Sequence, residues 1–287
     1  MIGPIGGVLF DGFAYGMLLF LLSVGLSVTL GMMNFVNLAH CSFGMLGGYI
    51  AVTLMERFGW PFFATLPAAF AASALASVVL ERALYRRLYR ASDLDQCLLT
   101  IGIVFISVAA AAYLYGTVQQ SVQPPAYLQG SVTFLGINFA VYRLFLVGTA
   151  LAITLVLVAS LEWTRFGAQV RAAVDNPRMA RGLGIDVDRT FAITFALGSG
   201  LAGLGGTLAI AMVGLDPSFA FTYLIYVLIV VSVGGLGSIA GSFAAATLLG
   251  VSDVAGKYYA PQVGAFLIYL VMVGLLMWRP AGLFGKR

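Results

Sequence analysis

Charge is what this sequence most lacks: only 9% of its 287 residues are Asp, Glu, Lys or Arg, 61% are hydrophobic, and the mean hydropathy is +1.01. Those values exclude a soluble globular domain and mark a polytopic membrane protein. Cysteine is nearly missing too. Cys41 and Cys97 lie in or beside apolar runs with no CxxC or Cys/His cluster near them; they read as buried free thiols, and no metal is expected. There is no GxxxxGK[ST] loop, so nucleotide hydrolysis by this chain is not expected. The start, MIGPIGGVLFDGFAYG, has no basic segment before its apolar stretch, which predicts a retained first span rather than a cleaved signal peptide. The formal net charge of +4 comes from basic residues at the ends of apolar runs. There they set orientation, so no nucleic-acid partner follows.

Two charge-free stretches are too long for one membrane pass. Residues 12–55 run for 44 residues and residues 217–252 for 36 without Asp, Glu, Lys or Arg, whereas one span needs about 20. The first is interrupted by Gly31, Asn34, Asn37 and His40, the sequence's single histidine, and the second by Gly234, Gly235, Gly237 and Ser238. Polar groups at membrane depth are costly unless they face protein or water. Broken helices of this kind either line a solute path or serve helix packing alone. The three polar side chains at Asn34, Asn37 and His40 favour the path, and they are its candidates together with Gly234, Gly235, Gly237 and Ser238. Between the two stretches lie spans at about 61–80, 97–115, 142–161 and 190–213, the last rich in glycine (Gly198, Gly200, Gly203, Gly205, Gly206) for close helix approach. A loop over 116–141 carries an alternating Ser131-Val-Thr-Phe that predicts a short strand pair.

The main concentration of charge is Glu162 to Arg189, with five Arg and four acidic residues. Inside it Asn176-Pro177 is a helix start, an N-cap followed by proline in the first turn, and Gly182 and Gly184 supply the stop. A helix over Pro177 to Leu183 is too short to persist alone. Helical spacing predicts Met179, Ala180 and Leu183 on one side and Arg178 and Arg181 on another, a two-faced peg that either needs a socket or is a solvated loop. Twelve of the fifteen Lys and Arg fall in residues 81–96, 162–189 and 279–287, so the positive-inside rule places these segments, the peg included, in the cytoplasm. The N-terminus is then outside if residues 12–55 dip and return, or cytoplasmic if they hold a re-entrant segment. No Asp, Glu, Lys or Arg lies within the broken runs, which leaves His40 as their one candidate for a proton relay. Ion coupling thus has little to work with, and energy for transport has to come from a cytoplasmic partner docked on the peg.

These residues resemble the permease subunits of bacterial ABC importers of the branched-chain amino acid family, over nearly the whole chain. Gly31-Met-Met-Asn34-Phe35 and Asn37-Leu-Ala-His40 loosely match the family's early Asn-Phe-Ala-His-Gly pattern, with Cys41 in place of glycine. Glu81-Arg-Ala-Leu-Tyr-Arg86 is similar to a Glu-Arg-x-x-Tyr-Arg-Pro stretch, with Arg87 for proline. Arg171 to Ile185, which includes Asp175, Asn176, Pro177, Arg178, Met179, Arg181, Leu183 and Gly184, looks like the segment that contacts the ATPase. Gly234-Gly-Leu-Gly-Ser-Ile-Ala-Gly241 and Arg279-Pro-Ala-Gly-Leu-Phe-Gly285 match two further family signatures. The resemblance implies an all-α polytopic membrane protein of about eight transmembrane helices, discontinuous or re-entrant near residues 31–41 and 234–242. It is a single permease domain over 1–287, with a cytoplasmic coupling segment at 162–189. It implies a non-catalytic subunit of the bacterial inner membrane with no cofactor of its own, ATP and Mg being held by partners. Those partners are a second permease, two cytoplasmic ATPases and a periplasmic solute-binding protein, besides membrane lipid. Branched-chain or related amino acids are the first expected cargo and urea, short amides or small organic or aromatic acids the second. A stand-alone channel or secondary carrier is the reading of another class.

Overall fold

The computed structural model describes residues 2–33, 35–89, 91–134 and 136–285, without the side chains of Ile2, Pro4 and Met32. Asn34, expected on the path, lies outside the described residues. Helix α1 (Ile2–Met33) is about 48 Å long at 1.5 Å per residue, well over the ~30 Å of a bilayer's hydrocarbon core. Its start packs on a hairpin, with the Phe10 and Phe139 rings 4.7 Å apart and Asp11 paired with Arg143. Its far end meets Gly237. The chain then returns in extended form, and α2 (His40–Phe58) starts beside Leu22, about two-thirds of the way along α1.

Helix α3 (Phe62–Leu80) runs on through a π-turn (Glu81–Tyr85) into the one-turn α4 (Arg86–Leu88). Ser92 caps α5 (Asp93–Tyr115) by accepting from the Asp95 N–H. The expected strand pair forms as β1 (Ser131–Phe134) and β2 (Ile137–Ala140), antiparallel with Ser131 opposite Ala140. Then come α6 (Val141–Trp163), α7 (Arg165–Asp175), α8 (Pro177–Gly182), α9 (Val187–Val213), α10 (Phe219–Gly234), α11 (Ile239–Tyr259) and α12 (Gly264–Trp278).

Among the described residues six helices are long and apolar enough to span a membrane: α1, α3 with its extension, α5, α6, α9 and α11; α10 and α12 are shorter apolar helices. This is a multi-pass helical membrane protein. The expected count of about eight transmembrane helices is thus met in part, by six helices that qualify in length and composition and two shorter apolar ones. Helix α1 is the centre, 89% of its apolar window being buried against 17% for α5 and α6, which face outward. Helix α9 crosses it where a Cβ on Gly25 would lie 2.2 Å from the Gly198 oxygen, and crosses α2 where a Cβ on Gly47 would lie 2.2 Å from the Gly203 oxygen. The glycines expected to allow close approach thus do so at the core. Of the two thiols, both free, Cys41 is buried but Cys97 is half-exposed at the first turn of α5.

A repeat emerges that the sequence did not announce. Helix α9 starts beside Arg86 and Arg181 and ends beside Gln119 and Gln120. Residues 214–218 return the chain, Leu215 packing on Gly48, before α10 begins. Long helix, extended return and second helix therefore occur twice, α1 to α2 and α9 to α10, in opposite sense, as in inverted-repeat transporters. The counterpart of the first break is residues 214–218. The break expected at Gly234 to Ser238 is also present, as the α10–α11 turn at the arginine-rich end.

Candidate coupling and translocation site

Local chemistry explains the short α8. The Asn176 side chain accepts from the Met179 N–H at 3.0 Å, Pro177 occupies the first turn, and Gly184 takes φ +83° just beyond. The expected faces need one correction. Ala180 is not on the outer face with Met179 and Leu183 but buried against Ala173 and Val187, because α8 rests on the ends of α7 and α9. Met179 and Leu183 stand bare, 66% and 79% exposed, flanked by exposed Arg178. The peg is apolar at its tip and cationic at its side.

Its mounting is polar. Arg181 reaches Asp188, at the start of α9, at 3.0 Å, and Arg86, in α4, grips the other carboxylate oxygen. All three side chains are about half exposed, so the bridge contributes little stability; what it supplies is a link between α8, α9 and α4. Arg171, expected in the coupling segment, is exposed and donates to the Leu161 carbonyl, tying α7 to the end of α6. Asp175, Asn176, Pro177, Arg178 and Arg181 share a cleft of about 1060 Å³ with Gly31, Arg86 and Arg87. The cleft thus joins the α7–α8 turn to the end of α1.

Behind the cleft lies the first return. Val36 N–H donates to Gln96 Oε1 at 2.9 Å and Leu38 N–H to Thr100 Oγ1 at 3.2 Å, so two side chains of α5 take the place of a β-ladder for this extended backbone. Gln96 Nε2 also donates to the Leu88 carbonyl at 3.2 Å, tying the return to α4. Phe35 sits among Tyr85, Tyr89 and Phe195, with ring centroids 5.3, 5.5 and 6.2 Å away. Tyr85 and Tyr89 come from the π-turn and α4, and Tyr89 donates to the buried Glu81 carboxylate at 2.9 Å. Single π-turns within α-helices are frequent at functional sites.

The residues expected on the path divide into two groups. His40 Nε2–H donates to the Leu22 carbonyl at 3.0 Å and is buried, which fixes the start of α2 to α1. Asn37 is buried beside it; its Oδ1 accepts from Ala39 N–H at 3.1 Å and its Nδ2 has no protein partner. Gly234, Gly235, Gly237 and Ser238 lie elsewhere, at the arginine-rich end, where Ser238 caps α11 by accepting from Gly241 N–H at 2.9 Å. The tail folds back on them: Leu283 N–H donates to Val233 O at 2.7 Å, and a Cβ on Gly235 would lie 2.6 Å from the Gly285 nitrogen. The two glycine signatures at 234–241 and 279–285 are therefore one packed unit, joined to α1 at Gly31. Sequence reasoning missed Gln96, Thr100 and Ser107. Their spacing of four and seven puts all three on one face of an otherwise apolar helix, and that was the available signal.

Residues 8–276 match the family described as branched-chain amino acid transport system / permease component. Among curated relatives, the chain is 29% identical to a probable branched-chain amino acid transport permease protein, LivH, of Methanocaldococcus jannaschii, covering 94% of this chain and 90% of that one. It is 26% identical to the high-affinity branched-chain amino acid transport system permease protein BraD of Pseudomonas aeruginosa, covering 97% and 95%. It is also 26% identical to the corresponding LivM permease protein of Escherichia coli K12, covering 93% of this chain and 68% of that one.

Proposed function

Since the chain belongs to the branched-chain amino acid transport permease family, we propose that it is one of two permease subunits of an ATP-driven importer for branched-chain or related amino acids. Similarity to both LivH and LivM supports pairing with a second, homologous permease. Two cytoplasmic ATPases then act on the α8 side, a periplasmic solute-binding protein delivers cargo to the hairpin side, and the complex sits in the bacterial inner membrane. The observation that carries this reading is the bare Met179–Leu183 tip on a capped, braced α8 at the end where the α1 break lies. An isolated two-residue apolar tip beside arginine suits a groove on a protein partner better than water.

Movement of α8 has a physical route inward. Arg181 and Arg86 share Asp188, Arg86 extends the π-turn, and Tyr85 of that turn packs on Phe35 of the return. A pull on α8 therefore biases the packing of the return, changing which side the path faces. Alanine at Arg178, Met179, Arg181 and Leu183 together is expected to cut ATP-dependent uptake by roughly a hundredfold or more in proteoliposomes holding all subunits, with the permease still inserted. Undiminished uptake overturns the reading. Uptake by the wild-type chain alone, without ATP, makes it a channel or carrier instead.

A further inference from the structure

A groove of about 240 Å³ runs between α2, α3 and α5, apart from the cleft at α8. Most of its wall is apolar, with Met45, Ile103 and Ala110 among its residues. Its polar groups are few and specific. Ser42, in the first turn of α2, and Ser107 are hydrogen-bonded to each other at 2.8 Å. Tyr49 is 3% exposed, stacks on Tyr115 at 4.2 Å, and its buried hydroxyl has no protein partner. A buried, unpartnered hydroxyl costs about 1–3 kcal/mol unless something else satisfies it. Helix α2 begins beside Leu22 of α1, and Ser42 of its first turn lines this groove with Ser107, as half-helix ends elsewhere meet anionic substrate groups.

The groove continues to the hairpin end. Leu114 and Tyr115 also line a polar pocket of about 170 Å³ with Thr53, Glu56 and Arg57, which offers one charge of each sign to a zwitterion. Towards the arginine-rich end it is closed by Phe43, which packs with Phe35, Tyr85 and Phe195 in the aromatic nest of the first return. At 240 Å³ it is smaller than the roughly 300–1,000 Å³ of drug-sized pockets and fits a small solute.

We propose that this groove is the solute subsite of the subunit and takes a zwitterionic amino acid with an apolar side chain. The carboxylate sits at Ser42, Ser107 and the first turn of α2, the side chain lies on Met45 and Ile103, and the Tyr49 hydroxyl accepts from the ammonium. The groove is open along the α5 side, which the second permease closes. This rests on the importer reading above, and the test separates the two.

The complete complex, with Cys97→Ser in this chain, is reconstituted and assayed with labelled leucine. Ala110→Trp, filling the groove, is expected to lower uptake roughly a hundredfold while the complex still assembles and hydrolyses ATP. Tyr49→Phe is expected to raise KM about fivefold, the worth of one hydrogen bond. Ala110→Cys is expected to react with a water-soluble thiol reagent, more slowly in the presence of leucine. Retained uptake in Ala110→Trp overturns the subsite. If that variant fails to assemble, the cysteine decides: labelling that leucine slows supports the proposal, whereas labelling indifferent to leucine, or blocked with and without it by lipid or the second permease, overturns it. A wild-type complex without ATP-dependent leucine uptake sinks the importer reading; one that carries leucine beside unaffected groove variants sinks the subsite alone.

Discussion

At residues 35–39 the returning chain is held by side chains, and at residues 214–218 by backbone. In the first return Val36 and Leu38 donate to Gln96 and Thr100 of α5. In the second, Leu215 and Gln120 exchange two backbone hydrogen bonds of 2.8 and 2.7 Å, and Gln119 Nε2 adds one to Val213 O at 2.8 Å. Geometrically the two returns are counterparts. Energetically they differ, because a backbone pair depends on the path of both chains, whereas a side-chain tie is released by one rotamer change in α5. The side-chain tie lies at the α8 end, next to the π-turn and the Asp188 bridge. Rearrangement is therefore expected to concentrate at the first return, with the second as the fixed frame.

The sharpest way to break this contrast is the double change Gln96→Leu with Thr100→Val. It leaves two part-buried N–H groups without their side-chain acceptors, each costing up to about 1–3 kcal/mol. A lower thermal midpoint of the purified chain is expected, together with loss of at least about tenfold in uptake, since 1.4 kcal/mol is already a factor of ten. Unchanged stability would show that the return does not depend on α5. The next largest effect belongs to Asp188→Asn. Its ion pairs are half exposed, so unfolding is expected to shift by less than about 1 kcal/mol. ATP-dependent uptake is nevertheless expected to fall several-fold while ATP hydrolysis continues, because the link from α8 to the π-turn is cut. Equal losses in stability and uptake would make the bridge merely structural.

What was legible in the sequence followed from local or compositional rules. The charge gaps at 12–55 and 217–252 required breaks, and Asn176-Pro177 required a cap; both are there. Three things were not legible, for one reason. Gln96 serves a backbone 60 residues away, Gln120 pairs with Leu215, and the tail at 282–285 fills the space over Gly234 and Gly235. Each depends on a partner distant in the chain, so no local pattern at either member names the other. The misplaced Ala180 has a different cause. Helical spacing groups it with Met179 and Leu183, but α8 is so short that the neighbours under it, Ala173 and Val187, decide which residues are covered.

The smallest effect is expected at the second return, and it tests the contrast from the other side. Gln120→Ala removes a side chain whose one protein hydrogen bond, to Val118 O, is long at 3.4 Å and exposed; the two backbone bonds to Leu215 need no side chain at position 120. Stability and uptake are expected to stay within about 0.5 kcal/mol of wild type, as for most surface changes. Gln120→Pro deletes in addition the N–H that donates to Leu215 O, so it is expected to destabilise by more than alanine does. Slow hydrogen exchange at Leu215 in the wild type, faster exchange in the proline variant and no change in the alanine variant is the pattern a backbone-held return requires. Similar exchange in all three would mean that the returns do not differ in kind, and that the first has no special claim to be the one that moves.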